Sequence, residues 1–155
     1  MLLPLLWEKT IKKTKLREIG FFVPEHYIIE SLYALIFICV FYVYYIFFHS
    51  RSVNILFLSP HLILYIVAGC FCITGSEEIF YRGIIQRRLT IILNKYWGLL
   101  IASIIFAIIG HPNTPLIDNL IWRLPAGIIL GYFYLRTGSL FFPICLHCGF
   151  NIISA

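Results

Sequence analysis

The sequence predicts an all-α fold, a polytopic transmembrane bundle of about five hydrophobic helices. Two observations predict it. The 155 residues are 61% hydrophobic and only 12% charged, about half the charge usual in a soluble domain. The charges also collect between apolar runs close to the length that a bilayer core needs. Ten Tyr and three Trp suit the two membrane interfaces. The formal net charge is +5, but its basic residues read as loop charges that set orientation, so no nucleic-acid partner is expected.

The elements follow in order. Residues 1–30 form a basic N-terminal juxtamembrane segment that carries Lys9, Lys12, Lys13, Lys15 and Arg17. It reads either as a surface-lying basic helix or as a solvated stretch. Its "MLLPLLW" is too short for the core of a cleavable signal, and none is expected. Residues 31–155 form the transmembrane helical domain. Its first span runs from Ser31 to His49 without Asp, Glu, Lys or Arg, and "HSRSVN" turns the chain. Pro60 starts the second helix, which continues through "GSEEIFYRG" to about Leu89. The third runs from Tyr96 to about Gly110 and ends at His111, because the residue before Pro112 disfavours helix. After the polar loop "HPNTPLIDN", the fourth runs from Asn119 to Leu135, with Arg123 inside it and a kink expected at Pro125. "RTGS" is a tight turn, and Leu140 to Ala155 is the fifth segment. Gly127 and Gly131, in "GIILG", mark close helix packing.

The basic residues also predict orientation. Lys9 to Arg17, Arg87, Arg88, Lys95 and Arg136 fall on one side, and Arg51 falls on the other. The positive-inside rule then places the N-terminus in the cytoplasm of a multi-pass protein of the cell membrane. Five cysteines, Cys39, Cys70, Cys72, Cys145 and Cys148, all lie in apolar runs. They are expected to be buried small hydrophobes, with neither a disulfide framework nor a zinc ribbon.

Charges inside the second helix need a reason, since each costs about 2.5–3.5 kcal/mol at a helix centre. At 100° per residue, Glu78 and Arg82 lie about 40° apart, with Glu first, which is the favourable order. Arg82 can neutralise Glu78 and leave Glu77 on a neighbouring stripe without a local cation. Such a carboxylate suits a general base; equally, it can sit solvated at the lipid–water boundary. His147 and Asn151 are also i,i+4, so imidazole and carboxamide share one face of the last helix. Pro143, one turn before His147, is expected to leave a backbone carbonyl free there. His111 ends the third span, whereas His26, His49 and His61 read as interface residues. Ionisable residues in spans tend to face the bundle interior, so Glu77, His111, His147 and Asn151 are expected to converge.

The combination of "EEIFYRG", a His at the end of the next span, and "RLPAGIILGYFYLRTGSLFFPICLHCGFN" resembles the CPBP family of intramembrane proteases. This family is also called the CAAX-protease and bacteriocin-processing, or Abi, family. Glu77, Glu78 and Arg82 match its E-E-x-x-x-R motif, and His147 and Asn151 match H-x-x-x-N. Its middle motif is F-x-x-x-H; here "FAIIGH" places Phe106 one residue further from His111. The resemblance covers about residues 60–155 and implies hydrolysis of a peptide bond inside the membrane. By that resemblance, Glu77 would activate water and His111 would help to hold and polarise it. His147 and Asn151 would orient the site and donate to the oxyanion, and Glu78 and Arg82 would support the first motif. Glu77, His111 and His147 are conceivable zinc ligands, yet H-E-x-x-H is absent and no metal is expected.

The implied substrate is a membrane-embedded or lipidated peptide or protein, in CAAX-type processing or bacteriocin self-immunity. The alternative is a non-catalytic membrane binding or immunity protein that keeps the fold; retention of all six polar positions weighs against it. A proton-relaying transporter would favour internal pseudo-symmetry, which the sequence does not display. The chain ends four residues after Asn151, which leaves two expectations open: a final closing helix is missing, or a partner helix or a second copy completes the bundle.

Overall fold

The computed structural model describes residues 15–49 and 60–154. Lys9, Lys12, Lys13, Arg51 and the "HSRSVN" turn beyond His49 lie outside the described residues. All regular structure among the described residues is helical. A short α1, Leu16–Ile19, precedes five long helices. Helix α2 is Tyr27–His49. Helix α3 runs from Pro60–Glu78 through a wide π stretch, Ile79–Gln86, into Arg87–Ile92. Helix α4 is Lys95–Ile108. Helix α5 joins Leu116–Asp118, a second π stretch Asn119–Arg123, and Leu124–Thr137. Helix α6 is Phe141–Ser154. By length and composition, Tyr27–Tyr44 and Leu116–Thr137 are long and apolar enough to cross a membrane, and Lys95–Ile108 and Phe141–Ile153 are shorter apolar helices.

The five predicted segments are these five helices, and local chemistry explains their ends. Asn94 caps α4, its side chain accepting from the Tyr96 and Trp97 N–H groups at 3.0 Å each. Helix α4 returns so closely along α3 that a Cβ at Gly98 would stand 2.6 Å from the Thr90 nitrogen. The "GIILG" glycines perform the packing expected of them. Gly127 receives the Phe106 ring, and Gly131 receives Gln86, whose Nε2 donates to the Gly131 carbonyl at 2.8 Å. Proline at 125 could not donate to an α-helical ladder; the wide turn Asn119–Arg123 lies immediately before it and absorbs the irregularity.

Three expectations change. Helix α2 starts one turn earlier than Ser31, at Tyr27, and takes in Glu30. Glu30 is tolerated there because Arg136 of α5 meets it at 2.7 Å. The cysteines are free thiols, but only Cys148 is buried; Cys39 and Cys72 are exposed. They stand on outward helix faces, where lipid rather than protein accepts a small apolar thiol. Pro143 frees no carbonyl near His147, because it lies in the first turn of α6, where its missing N–H matters little. The Ser139 carbonyl below it accepts from the Thr137 hydroxyl instead.

The segment after Lys15 is tied into the bundle. Ile19 is fully buried with Tyr134 and Leu140 and sits against Gly83, where a Cβ would come 2.6 Å from its side chain. The Tyr134 hydroxyl donates to the Ile19 carbonyl at 3.1 Å, and the Leu140 N–H donates to that of Gly20 at 2.9 Å. Gly20 holds φ at 112°, a left-handed turn that suits glycine. Arg87 reaches Glu18 at 3.6 Å, so basic residues gather at this end of the bundle.

Candidate active site

Helix α3 carries the charged motif into the bundle interior. Glu78 and Arg82 are both fully buried, one turn apart, with Arg82 Nε 3.1 Å from Glu78 Oε2, as the i,i+4 spacing predicts. No Arg82 nitrogen is aligned for a hydrogen bond among the described residues, so charge attraction holds the pair. The guanidinium also lies over the Phe106 ring, 4.8 Å from its centroid, where the face of the ring attracts a cation.

Helix α6 brings His147 onto this pair. Its Nδ1 lies 2.8 Å from Glu78 Oε1 and its Nε2 lies 3.5 Å from Glu77 Oε2. Beside Arg82 the Glu78 carboxylate acts as an acceptor, so Nδ1 is the nitrogen that carries the proton toward it. Nε2 is thereby turned toward Glu77. Glu78 thus engages the cation with one oxygen and the imidazole with the other. Glu77 differs from its neighbour: its side chain is 21% exposed. One buried imidazole bracketed by two carboxylates is the centre of the site.

Phe106 organises the surroundings. Its ring stands edge-on to Tyr81, His111 and His147, with centroids 5.2, 5.3 and 5.4 Å away. The longer spacing between Phe106 and His111 is taken up at the end of α4. There the Gly110 N–H reaches back five residues to the Ile105 carbonyl at 3.1 Å, a turn wider than an α-turn. Gly110 lies against the Tyr81 hydroxyl, which a Cβ would approach to 2.7 Å. Asn119 then braces the loop by donating to the His111 carbonyl at 3.1 Å.

These contacts place His111, His147 and Asn151 on the wall of one cavity of about 390 Å³, with Asp118, Trp122 and Arg123 opening the lining toward α5. Asn151 is exposed and stands one turn beyond His147. Glu77 is not among the residues that line the cavity; it meets the site through His147. His111 makes no ion pair with either glutamate among the described residues. The structure therefore joins Glu77, Glu78, Arg82 and His147 in direct contact, and His147, His111 and Asn151 around a shared space. Sequence reasoning assigns Phe106 no role beyond motif spacing, and assigns none to Tyr81, Asp118 or Asn119. An aromatic residue in a motif between two polar spans is the signal that pointed to Phe106.

A zinc ion fits this donor set poorly. Both His147 nitrogens face carboxylates, and Glu78 is engaged by Arg82. Among the described residues no three His, Cys, Asp or Glu side chains are grouped as a metal would need.

The fold and site together define an apolar helical bundle of membrane type with a buried, mutually paired Glu–Arg–His cluster beside a cavity lined by both polar and apolar side chains. Residues 59–153 match the sequence model of the family described as type II CAAX prenyl endopeptidase Rce1-like. The chain belongs to that family, a branch of the CPBP intramembrane proteases. No curated protein and no solved structure shows significant similarity to it.

Proposed function

We propose that the chain is a glutamate-dependent intramembrane endopeptidase that hydrolyses a peptide bond of a membrane-associated, lipidated protein. The observation that supports this reading is the His147 imidazole held between Glu78 and Glu77. In the proposed reaction, Glu77 takes a proton from a water held near His147 Nε2. The hydroxide forms a bond to the scissile carbonyl carbon. Asn151 donates to the oxyanion, where a positioned donor stabilises the developing charge. Collapse breaks the C–N bond, and the proton on Glu77 passes to the leaving amine. His111 polarises the reacting groups from its place on the cavity wall. Glu78 orients His147, and Arg82 balances the charge of Glu78. No step requires a metal. We place the basic end of the bundle, with the N-terminus, in the cytoplasm of a cell-membrane protein, and treat residues 60–155 as the protease core behind the basic segment 1–30.

The test is cleavage of a farnesylated CAAX peptide by the purified protein in lipid, read by mass spectrometry. Wild type should release a C-terminal fragment at a rate that chelators leave unchanged. Cleavage lost to a chelator and restored by zinc would sink the metal-free mechanism. Folded protein without any cleavage of lipidated peptides would favour the non-catalytic alternative, a membrane binding or immunity protein.

A further inference from the structure

The proposed reaction uses all three charged groups of the E-E-x-x-x-R motif and leaves one cation on the cavity wall, Arg123, without a role. Arg123 lies in the wide turn of α5, partly buried, on the wall shared with His111, His147 and Asn151. No carboxylate among the described residues pairs with it. Three other helix arginines have carboxylate partners: Arg82 has Glu78, Arg87 has Glu18 and Arg136 has Glu30. Asp118 lines the same cavity five residues earlier, about 7.5 Å back along the helix, and makes no ion pair with Arg123 among the described residues. The Arg123 charge acts instead on His111, a group that cannot neutralise it. A guanidinium within a membrane span is costly and marks a functional position when it lacks a protein partner. Its planar fork matches a carboxylate, with two parallel N–H donors.

We propose that Arg123 anchors the free C-terminal carboxylate of the peptide that this site cleaves. The inference rests on the proposed peptidase reading and adds the part of the substrate that is recognised. A compact space of about 390 Å³ is on the order of 10 Å across, and two or three extended residues span a similar length. A terminus held at Arg123 therefore puts a peptide bond only a few residues upstream beside His147 and Asn151. Arg123 is a specificity residue in this account, distinct from the groups that perform the hydrolysis.

Binding tests this without turnover. The probes are a farnesylated CAAX peptide with a free C-terminal acid and the same peptide with a C-terminal amide, titrated against the full chain in lipid nanodiscs. Wild type should bind the acid about tenfold to a hundredfold more tightly, the range for a charge-assisted contact in a partly dry site. Arg123→Gln should bring the two peptides to nearly equal affinity, and Arg123→Lys should keep part of the preference. Equal binding of acid and amide by wild type, or no binding of the acid, overturns the inference and needs no variant to do so. An acid preference that survives in folded Arg123→Gln overturns it as well. So does loss of co-purifying anionic lipid in Arg123→Gln with the acid preference intact, which would assign the cation to a lipid phosphate. Cleavage that persists in Glu77→Gln would remove the proposed base and leave the carboxylate anchor standing.

Discussion

Two of the Glu–Arg pairs in this molecule, one inside α3 and one between α2 and α5, live in different media. Glu78 and Arg82 are both fully buried, 3.1 Å apart, in the middle of the bundle. Glu30 and Arg136 approach more closely, at 2.7 Å, but the Arg136 side chain is 41% exposed at the end of α5. The outer pair is lopsided: Arg136 is partly exposed but Glu30 is buried, so losing Glu30 costs little whereas losing Arg136 strands a buried carboxylate. The buried pair has only its own members, Phe106 and His147 to replace water. Closeness alone is therefore a poor measure of what a pair does. The longer contact is the one on which the fold and the site both depend, because removing either member strands the other charge.

The largest effect should come from breaking the inner pair on one side. Arg82→Ala leaves Glu78 buried without its cation and should destabilise the protein by about 3–5 kcal/mol, seen as lost abundance and a lower melting temperature in detergent. The double change Glu78→Gln with Arg82→Met removes both charges and should recover much of that stability without restoring turnover. Failure of the double change to recover any would mean that packing, and not charge, dominates at this point.

A smaller effect separates chemistry from support. Asn151 lies one turn beyond His147 and outside the ion pair. Asn151→Ala should melt close to wild type yet turn over about 10²–10³-fold more slowly, the range for one oxyanion donor. A normal rate in that variant would remove Asn151 from the mechanism. The smallest effect belongs to the outer pair. Glu30→Gln should shift the melting temperature much less than Arg82→Ala does, because the Arg136 it leaves behind is 41% exposed, and added salt should mask the difference. A loss matching that of Arg82→Ala would show that the two pairs are equivalent after all.

Much of this arrangement was legible before any coordinates. Long apolar runs announced five helices, and the four-residue spacings of Glu78 with Arg82 and of His147 with Asn151 put each pair on one face. What stayed hidden depends on contacts between helices. The Phe106 ring meets residues of α3, α6 and the loop after α4, and no spacing within one segment encodes such a meeting. Glu30 looked like the end of a span because its counterion, Arg136, lies 106 residues away. Ile19 looked like part of a basic tail because Gly83 and Tyr134, which receive it, belong to other helices. Counted along a straight helix from Lys95, His111 would lie at a different depth from Glu77. Its entry into the cavity follows from the wide last turn at Gly110 and the Asn119 brace, which propensity does not foresee.

The central claim is that two adjacent glutamates divide the labour, Glu77 taking the proton and Glu78 holding His147 and Arg82. The most direct test measures cleavage rate and thermal melting side by side for Glu77→Gln and Glu78→Gln, each in lipid with the farnesylated peptide. Glu77→Gln should fold and melt like wild type while its turnover falls about 10²–10⁴-fold; Glu78→Gln should lower the melting temperature, because Arg82 is left unpaired. A folded Glu77→Gln protein that cleaves near the wild-type rate would contradict the account.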